Sequence, residues 1–248
     1  GGNRTINREK KDIYTIADYR RDFNEKYCDM VDVLMWGESD SLIPRQTFEI
    51  LDNMHTSVKE KTPKYVSFFG TCKMWDDSWK VIEHTDFTDK PFIDGDEENW
   101  WSLRYNMSID EMNEINDKVE SLDVHVTHQY KFNGCGLVIS SDLIKSGVNI
   151  PKSVFFIHED TAFMFQLQKL FGGQVPQYII KNILLVHNRK HKKKRTYVLG
   201  EEKIKAGDIG AARLEHDWYK KASDMCHHNT YNMFNQSKVY SWKDVFGE

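Results

Sequence analysis

The chain has 248 residues, 40% of them hydrophobic and 13% aromatic, enough to bury a sizeable core and too apolar for wholesale disorder. Its 34 Lys and Arg against 38 Asp and Glu give a formal charge of −4, which excludes a globally basic nucleic-acid coat but not a local basic patch. The longest apolar runs, such as residues 154–157, are too short to span a bilayer, the start Gly1-Gly2-Asn3-Arg4 has no signal-peptide pattern, and four dispersed cysteines (Cys28, Cys72, Cys135, Cys226) suit reduced thiols rather than disulfides or a zinc knuckle. A cytoplasmic protein with no membrane partner is expected.

In chain order, a polar, charged helix is expected over 18–28, followed by a buried strand over 31–36 that ends at Gly37. A helix over 45–59 would turn Phe48, Leu51, Met54, His55 and Val58 inward. Strands are expected at 65–69, 80–82 and 136–140. Ser108 and Glu111 form an S-x-x-E capping box, and Ile109, Met112, Ile115, Val119 and Leu122 follow at helical spacing. A further helix starts at Asp160 or Thr161 and stops at Gly172-Gly173. A strand over 178–186 runs into the basic stretch His187 to Arg195, and the tail is helical from about 210 to 225. Strands alternating with helices indicate an α/β layer fold.

Four places carry residues suited to chemistry. Glu38 and Asp40 flank Ser39 directly after the first buried strand, where ligands of α/β sheets bind. Such a pair suits a hard divalent cation such as Mg²⁺ or Mn²⁺, or is an ordinary acidic turn. Gly134 and Gly136 precede a strand and mark either a close backbone approach to a ligand or a plain turn. Glu159-Asp160-Thr161 meets a helix start, where Asp160 or Thr161 is a natural N-cap, or a carboxylate is held at a site's mouth to accept a proton. His187 closes an apolar strand as a metal ligand or a half-buried histidine. The run Arg189, Lys190, Lys192, Lys193, Lys194 and Arg195 can pair with phosphates or stand solvated in a loop. Trp75 and Trp79 could stack on a sugar or base; Trp100-Trp101 read as core or lid.

The order of these landmarks resembles that of GT-A glycosyltransferases, over about residues 1–197. By that resemblance the fold is a GT-A, Rossmann-like mixed sheet flanked by helices. Residues 1–200 would form the core and residues 201–248 a C-terminal helical extension packed on it. Glu38-Ser39-Asp40 resembles the D-x-D motif that holds Mn²⁺ or Mg²⁺ against a UDP-sugar diphosphate. The resemblance gives Gly134 and Gly136 a place beside the donor sugar, with Arg189 also in donor binding. It makes Asp160 the catalytic base, with Glu159 beside it, and His187 the residue completing the metal shell. The motif opens with Glu rather than Asp, so Asp40 is the surer ligand. Only 36 residues precede Gly37, too few for the nucleotide-binding front of that family, and the native N-terminal part is expected to be absent.

The wording from Leu34 to Pro44, L-M-W-G-E-S-D-S-L-I-P, is similar to phage-encoded glycosyltransferases of hydroxymethyl-pyrimidine pathways (the TET/JBP-associated group). That likeness implies an inverting enzyme that moves a sugar from a UDP-sugar to a hydroxymethylated base, such as hydroxymethylcytosine, in phage DNA within the host cytoplasm. A saccharide acceptor on the same fold is the alternative. A metal-dependent phosphodiesterase and a non-catalytic nucleic-acid-binding module are the rivals from other classes.

Overall fold

The structure is a computed structural model; it describes residues 13–38, 41–69, 108–128, 134–187 and 217–248. Among the described residues five strands form a mixed sheet: β1 (Val33–Met35), β3 (Val66–Phe69), β4 (Val124–Thr127), β5 (Val138–Ser140) and β6 (Gln177–Ile180), in the order β1-β5-β3-β6-β4. Only β3 and β6 run parallel; the other pairs are antiparallel. A separate two-stranded ladder joins β2 (Ser41–Leu42) to β7 (Val186–His187). Helices cover both faces of the main sheet, so the protein is α/β.

Alternation along the strands sorts the core into two layers. Leu34, Val66, Phe68, Ile139 and Ile179 face one way, against Leu143 and Ile144 of α4 (Ser141–Lys145) and Ala162, Phe163, Met164 and Leu167 of α5 (Glu159–Phe171). Phe69, Val138 and Ile180 face the other way, against Ile50, Leu51 and Met54 of α2 (Thr47–Val58). Helix α3 (Ile109–Asn116) has the expected capping box and packs Met112 on Leu184 and Val186. Asn116 fixes it there, donating to the Leu184 carbonyl at 2.9 Å and accepting from the Leu184 N–H at 2.8 Å.

Helix α1 (Ile16–Tyr27) is unusual in what it buries: Ala17, Arg20, Arg21 and Asn24. Arg21 meets that cost by donating to the carbonyls of Ile150, Pro151 and Val154 at 2.8–2.9 Å. Thr15, at its N-cap, donates through its hydroxyl to the Phe155 carbonyl at 2.9 Å. Together these bonds lace α1 to the segment leading into α5.

Several expectations are corrected. Phe48 is 83% exposed, because α2 turns the stripe of Thr47, Ile50, Leu51 and Met54 inward instead. The strand expected over 178–186 is broken: Asn182 accepts from the Asp123 N–H and donates to the Ser121 carbonyl, so the chain turns after Ile180 and resumes as β7 in the smaller ladder. Helix α3 stops at Asn116, leaving Val119 and Leu122 beyond it, and β4 follows as an unforeseen edge strand with Val124 and Val126 exposed. Helix α5 starts at Glu159 with His158 as N-cap, so neither Asp160 nor Thr161 is the cap. The tail helix α6 (Asp217–Tyr231) runs past Met225, and a short α7 (Trp242–Phe246) follows it. The strand at 80–82 and the tryptophans 75, 79, 100 and 101 lie outside the described residues. Cys28, Cys135 and Cys226 are buried. Among the described residues no helix is long and apolar enough to cross a membrane.

Helices α6 and α7 close over Phe155 and Phe156 through Ala222, Cys226 and Val245, ringed by Trp218, Tyr219 and Trp242. Phe156 contacts all three rings, with centroids 5.1–5.7 Å away. Phe156→Ala should cost about 3–5 kcal/mol. Tryptophan emission should shift to the red as Trp218 and Trp242 gain water. An unshifted spectrum with parental stability would show that α6 and α7 do not depend on this contact.

Candidate active site

The site is built where β1 ends. Trp36 continues the β1–β5 pairing by two bonds of 2.8 Å, its N–H to the Leu137 carbonyl and its carbonyl from the Gly136 N–H. That pairing lays residues 134–136 beside residues 36–38. Gly136 has φ 84°, a left-handed conformation that glycine takes without strain, so the chain can turn there into β5. Gly134 answers a different need. A Cβ on it would lie 2.6 Å from Arg20 Nη1 and 2.9 Å from Asp160 Oδ2, so only a residue without a side chain lets the two groups converge.

Arg20 stands at the centre, 5% exposed. Its Nη1 donates to Glu159 Oε1 at 2.5 Å, and its Nη2 donates to the Gly134 carbonyl at 2.8 Å. Nη2 also lies 3.6 Å from Glu38 Oε1. The guanidinium carbon sits 5.0 Å from the Trp36 ring centroid. Trp36 is itself fixed, its indole N–H donating to Asn24 Oδ1 at 2.9 Å. The guanidinium thus joins α1, the end of β1, the glycine turn and the start of α5.

The Glu159-Asp160 pair is aimed by its cap. His158 has φ 69° and ψ 23°, the left-handed region that a non-glycine residue occupies at a cost of about 1–3 kcal/mol. The His158 ring is anchored by Ser223 Oγ, 3.2 Å from Nε2, and by the His227 ring at 5.7 Å. Burial, then the neighbouring His227, hold the His158 imidazole below its ordinary pKa. Glu159 points into the protein toward Arg20. Asp160 is half-buried, with Oδ1 accepting from the Thr161 N–H at 2.7 Å and Oδ2 toward Gly134. Burial first, then the charge of Asp160, push the Glu159 carboxyl up to about 7, against the opposing pull of Arg20.

Of the residues singled out by sequence, Glu38, Gly134, Glu159 and Asp160 come together around Arg20, and Gly136 supports the turn. Ser39, Asp40 and Arg189, with the basic run to Arg195, lie outside the described residues, as does the His187 side chain. Backbone register nevertheless pairs Ser41 with His187 across the β2–β7 ladder, so the residue after Asp40 is opposite His187. An aspartate oxygen is a donor that suits Mg²⁺ or Mn²⁺, whereas an imidazole is a donor for transition metals rather than for Mg²⁺. The carboxylate of Glu38 faces Arg20, and among the described residues no group of three His, Cys, Asp or Glu side chains is arranged for a metal. Ser41 also meets the glycine turn, its Oγ 3.1 Å from Cys135 Sγ.

Arg20 was missed in the sequence. Its one signal was position: with Ala17, Arg21 and Asn24 it forms a helical stripe, but a stripe of polar residues reads as a solvated face. No family model, curated protein or solved structure matches the chain.

Two outcomes follow from this geometry. Between about pH 4.5 and 7 the folded protein holds a proton at Glu159 that the unfolded chain has released. The contribution of this group to stability is therefore greatest below pH 4.5 and falls as pH rises through 7, with a slope of at most about 1.4 kcal/mol per pH unit. Glu159→Gln should remove that slope from urea melts across this window; an unaltered pH profile would refute the assignment. Gly134→Ala should cost about 1–3 kcal/mol by overpacking. Gly37→Ala, with nothing within 4 Å of its added Cβ, should stay within about 0.5 kcal/mol. Equal denaturation midpoints for the two variants would contradict the crowding at Gly134.

Proposed function

We propose that this protein is a metal-dependent inverting glycosyltransferase with a GT-A type core, which transfers a sugar from a UDP-sugar to a hydroxymethylated pyrimidine base in DNA. The observation that carries the reading is the meeting of Glu38, Gly134, Glu159 and Asp160 in one cluster at the end of β1. These residues are more than 120 positions apart between Glu38 and Glu159, and a chance acidic turn and a chance helix start have no reason to share one guanidinium. The pairing of Ser41 with His187 supports the same reading from a second ladder. The acceptor is argued from the sequence resemblance around residues 34–44 and from the basic run 189–195.

In this scheme Asp160 is the base. The acceptor hydroxyl gives its proton to the Asp160 carboxylate as its oxygen forms a bond to the anomeric carbon. The bond from that carbon to the diphosphate oxygen breaks on the opposite face, and UDP leaves with the electron pair. Gly134 keeps the approach to Asp160 clear of a side chain. Glu159, turned toward Arg20, holds the helix start rather than attacking the sugar. Asp40 and His187 would hold the divalent ion, which neutralises charge on the departing diphosphate when bound.

The test is to incubate the protein with Mn²⁺, a panel of UDP-sugars and hydroxymethylcytosine DNA, then digest the DNA and weigh the nucleosides. A sugar-sized mass gain on the modified base is expected, with inverted anomeric configuration by NMR. Asp160→Asn should lower turnover by about 10²-fold or more with UDP-sugar binding retained. Retained configuration would overturn single displacement, and full turnover by the Asn variant would remove Asp160 as the base. Sugar transfer to a saccharide but never to DNA would move the acceptor to the glycan class.

A further inference from the structure

We propose that Arg20 is a positioning residue for the transfer: by binding the Gly134 carbonyl and Glu159 with one fork, it fixes the start of α5 so that the Asp160 carboxylate stands beside Gly134. The inference rests on the reading of Asp160 as the base.

Three observations carry it. First, Arg20 and Asp160 approach Gly134 from two sides, 2.6 Å and 2.9 Å from where its Cβ would be, so their positions are mutually set. Second, the bond to Glu159 and the bond to Gly134 come from the two terminal nitrogens of one planar group. A planar fork fixes the distance between its partners, which a single ammonium does not. Third, the arrangement is expensive. Arg20 Nε is buried with no hydrogen-bond partner among the described residues, and Glu159 is 7% exposed. A pair of neutral side chains of similar size would fill this space at no such cost. Stability alone therefore gives no reason for a guanidinium here, whereas geometry does. Among the described residues the side-chain hydrogen bonds of Asp160 come from its own neighbour, Thr161, from the N–H at 2.7 Å and the hydroxyl at 3.5 Å, so its direction depends on where Glu159 is held.

The experiment separates stability from alignment. Arg20→Met leaves Glu159 buried without its partner and should lower the melting temperature. Adding Glu159→Gln removes the orphaned acid and should return the melting temperature close to the parent. Transfer should not return with it: kcat in the double variant should stay about 10- to 100-fold down, with the UDP-sugar KM within about threefold. Arg20→Lys keeps the charge without the fork, and should likewise keep donor KM while kcat falls. Recovery of both melting temperature and kcat in the double variant, or full kcat in Arg20→Lys, would make Arg20 merely structural and overturn the proposal. A crystal structure of the double variant provides a readout independent of turnover. The Asp160 carboxylate should have left its place beside Gly134, and an unmoved carboxylate would refute positioning. Should the parent transfer no sugar while that carboxylate still moves in the variant, the functional reading fails and the positioning role stands.

Discussion

The buried guanidinium of Arg20 is the constraint on which the site depends. A charge removed from water is tolerated only when paired and hydrogen-bonded, so the chain must deliver partners to it from wherever they lie. They come from three distant stretches: Glu38 after β1, Gly134 before β5 and Glu159 at the head of α5. Arg21, the next residue, makes the same demand on the carbonyls of Ile150, Pro151 and Val154. Two adjacent arginines therefore attach one helix to both sides of the site. Displacing α1 would uncover two charges at once, which makes its position far better determined than its weak apolar face could achieve.

Two local features convert that attachment into a direction. The left-handed turn at His158 swings the backbone so that Glu159 points inward while Asp160 stays at the rim. The missing side chain of Gly134 leaves the space that the rim residue faces. Strain at a helix cap is uncommon in a segment whose only task is to begin a helix; Ser108 and Ser241 start theirs from ordinary extended conformations. The strained cap, the crowded glycine and the buried acid occur within one cluster, the pattern expected where backbone comfort has been given up for placement.

Much of this was legible in the sequence where one physical rule acts alone. Period-2 and period-3.6 patterns located β3, β5, α2 and α5 to within a few residues, because each buries one apolar face. The capping box at Ser108 was read directly from two side chains. Two of the failures share a cause, which is that the deciding partner is remote in sequence. Asn182 ends β6 through its bonds to Asp123 and Ser121, and the polar pair Lys181-Asn182 was the one local trace of the break. Strand β4 is an edge that, among the described residues, pairs with β6 alone, and its alternating valines face solvent. On α2, Phe48 alone of the expected inner face is exposed, whereas Leu51 and Met54 are buried as expected. Glu38, Gly134, Glu159 and Asp160 were each ambiguous alone, and the arginine that unites them looked like surface.

Formal charge explains why such a cluster requires a further cation if it is to receive a diphosphate. Three carboxyl groups, Glu38, Glu159 and Asp160, stand around one guanidinium. Uptake of a proton by Glu159, whose carboxyl is pushed up by burial and by Asp160, removes one negative charge but not the excess. Two carboxylates against one guanidinium would still repel a diphosphate, and Arg20 is too buried to compensate, with both terminal nitrogens engaged. The missing positive charge must come from outside the cluster. The β2–β7 ladder leads in two directions that could provide it: back to Asp40, one residue before Ser41, and on to the basic run that follows His187. An ion held by the first would act at short range and in fixed geometry, whereas lysines and arginines in the second would act as a more diffuse field. On the proposed reading, the carboxylates would keep an anionic donor away from the base, and cations supplied from outside the cluster would set where it stops.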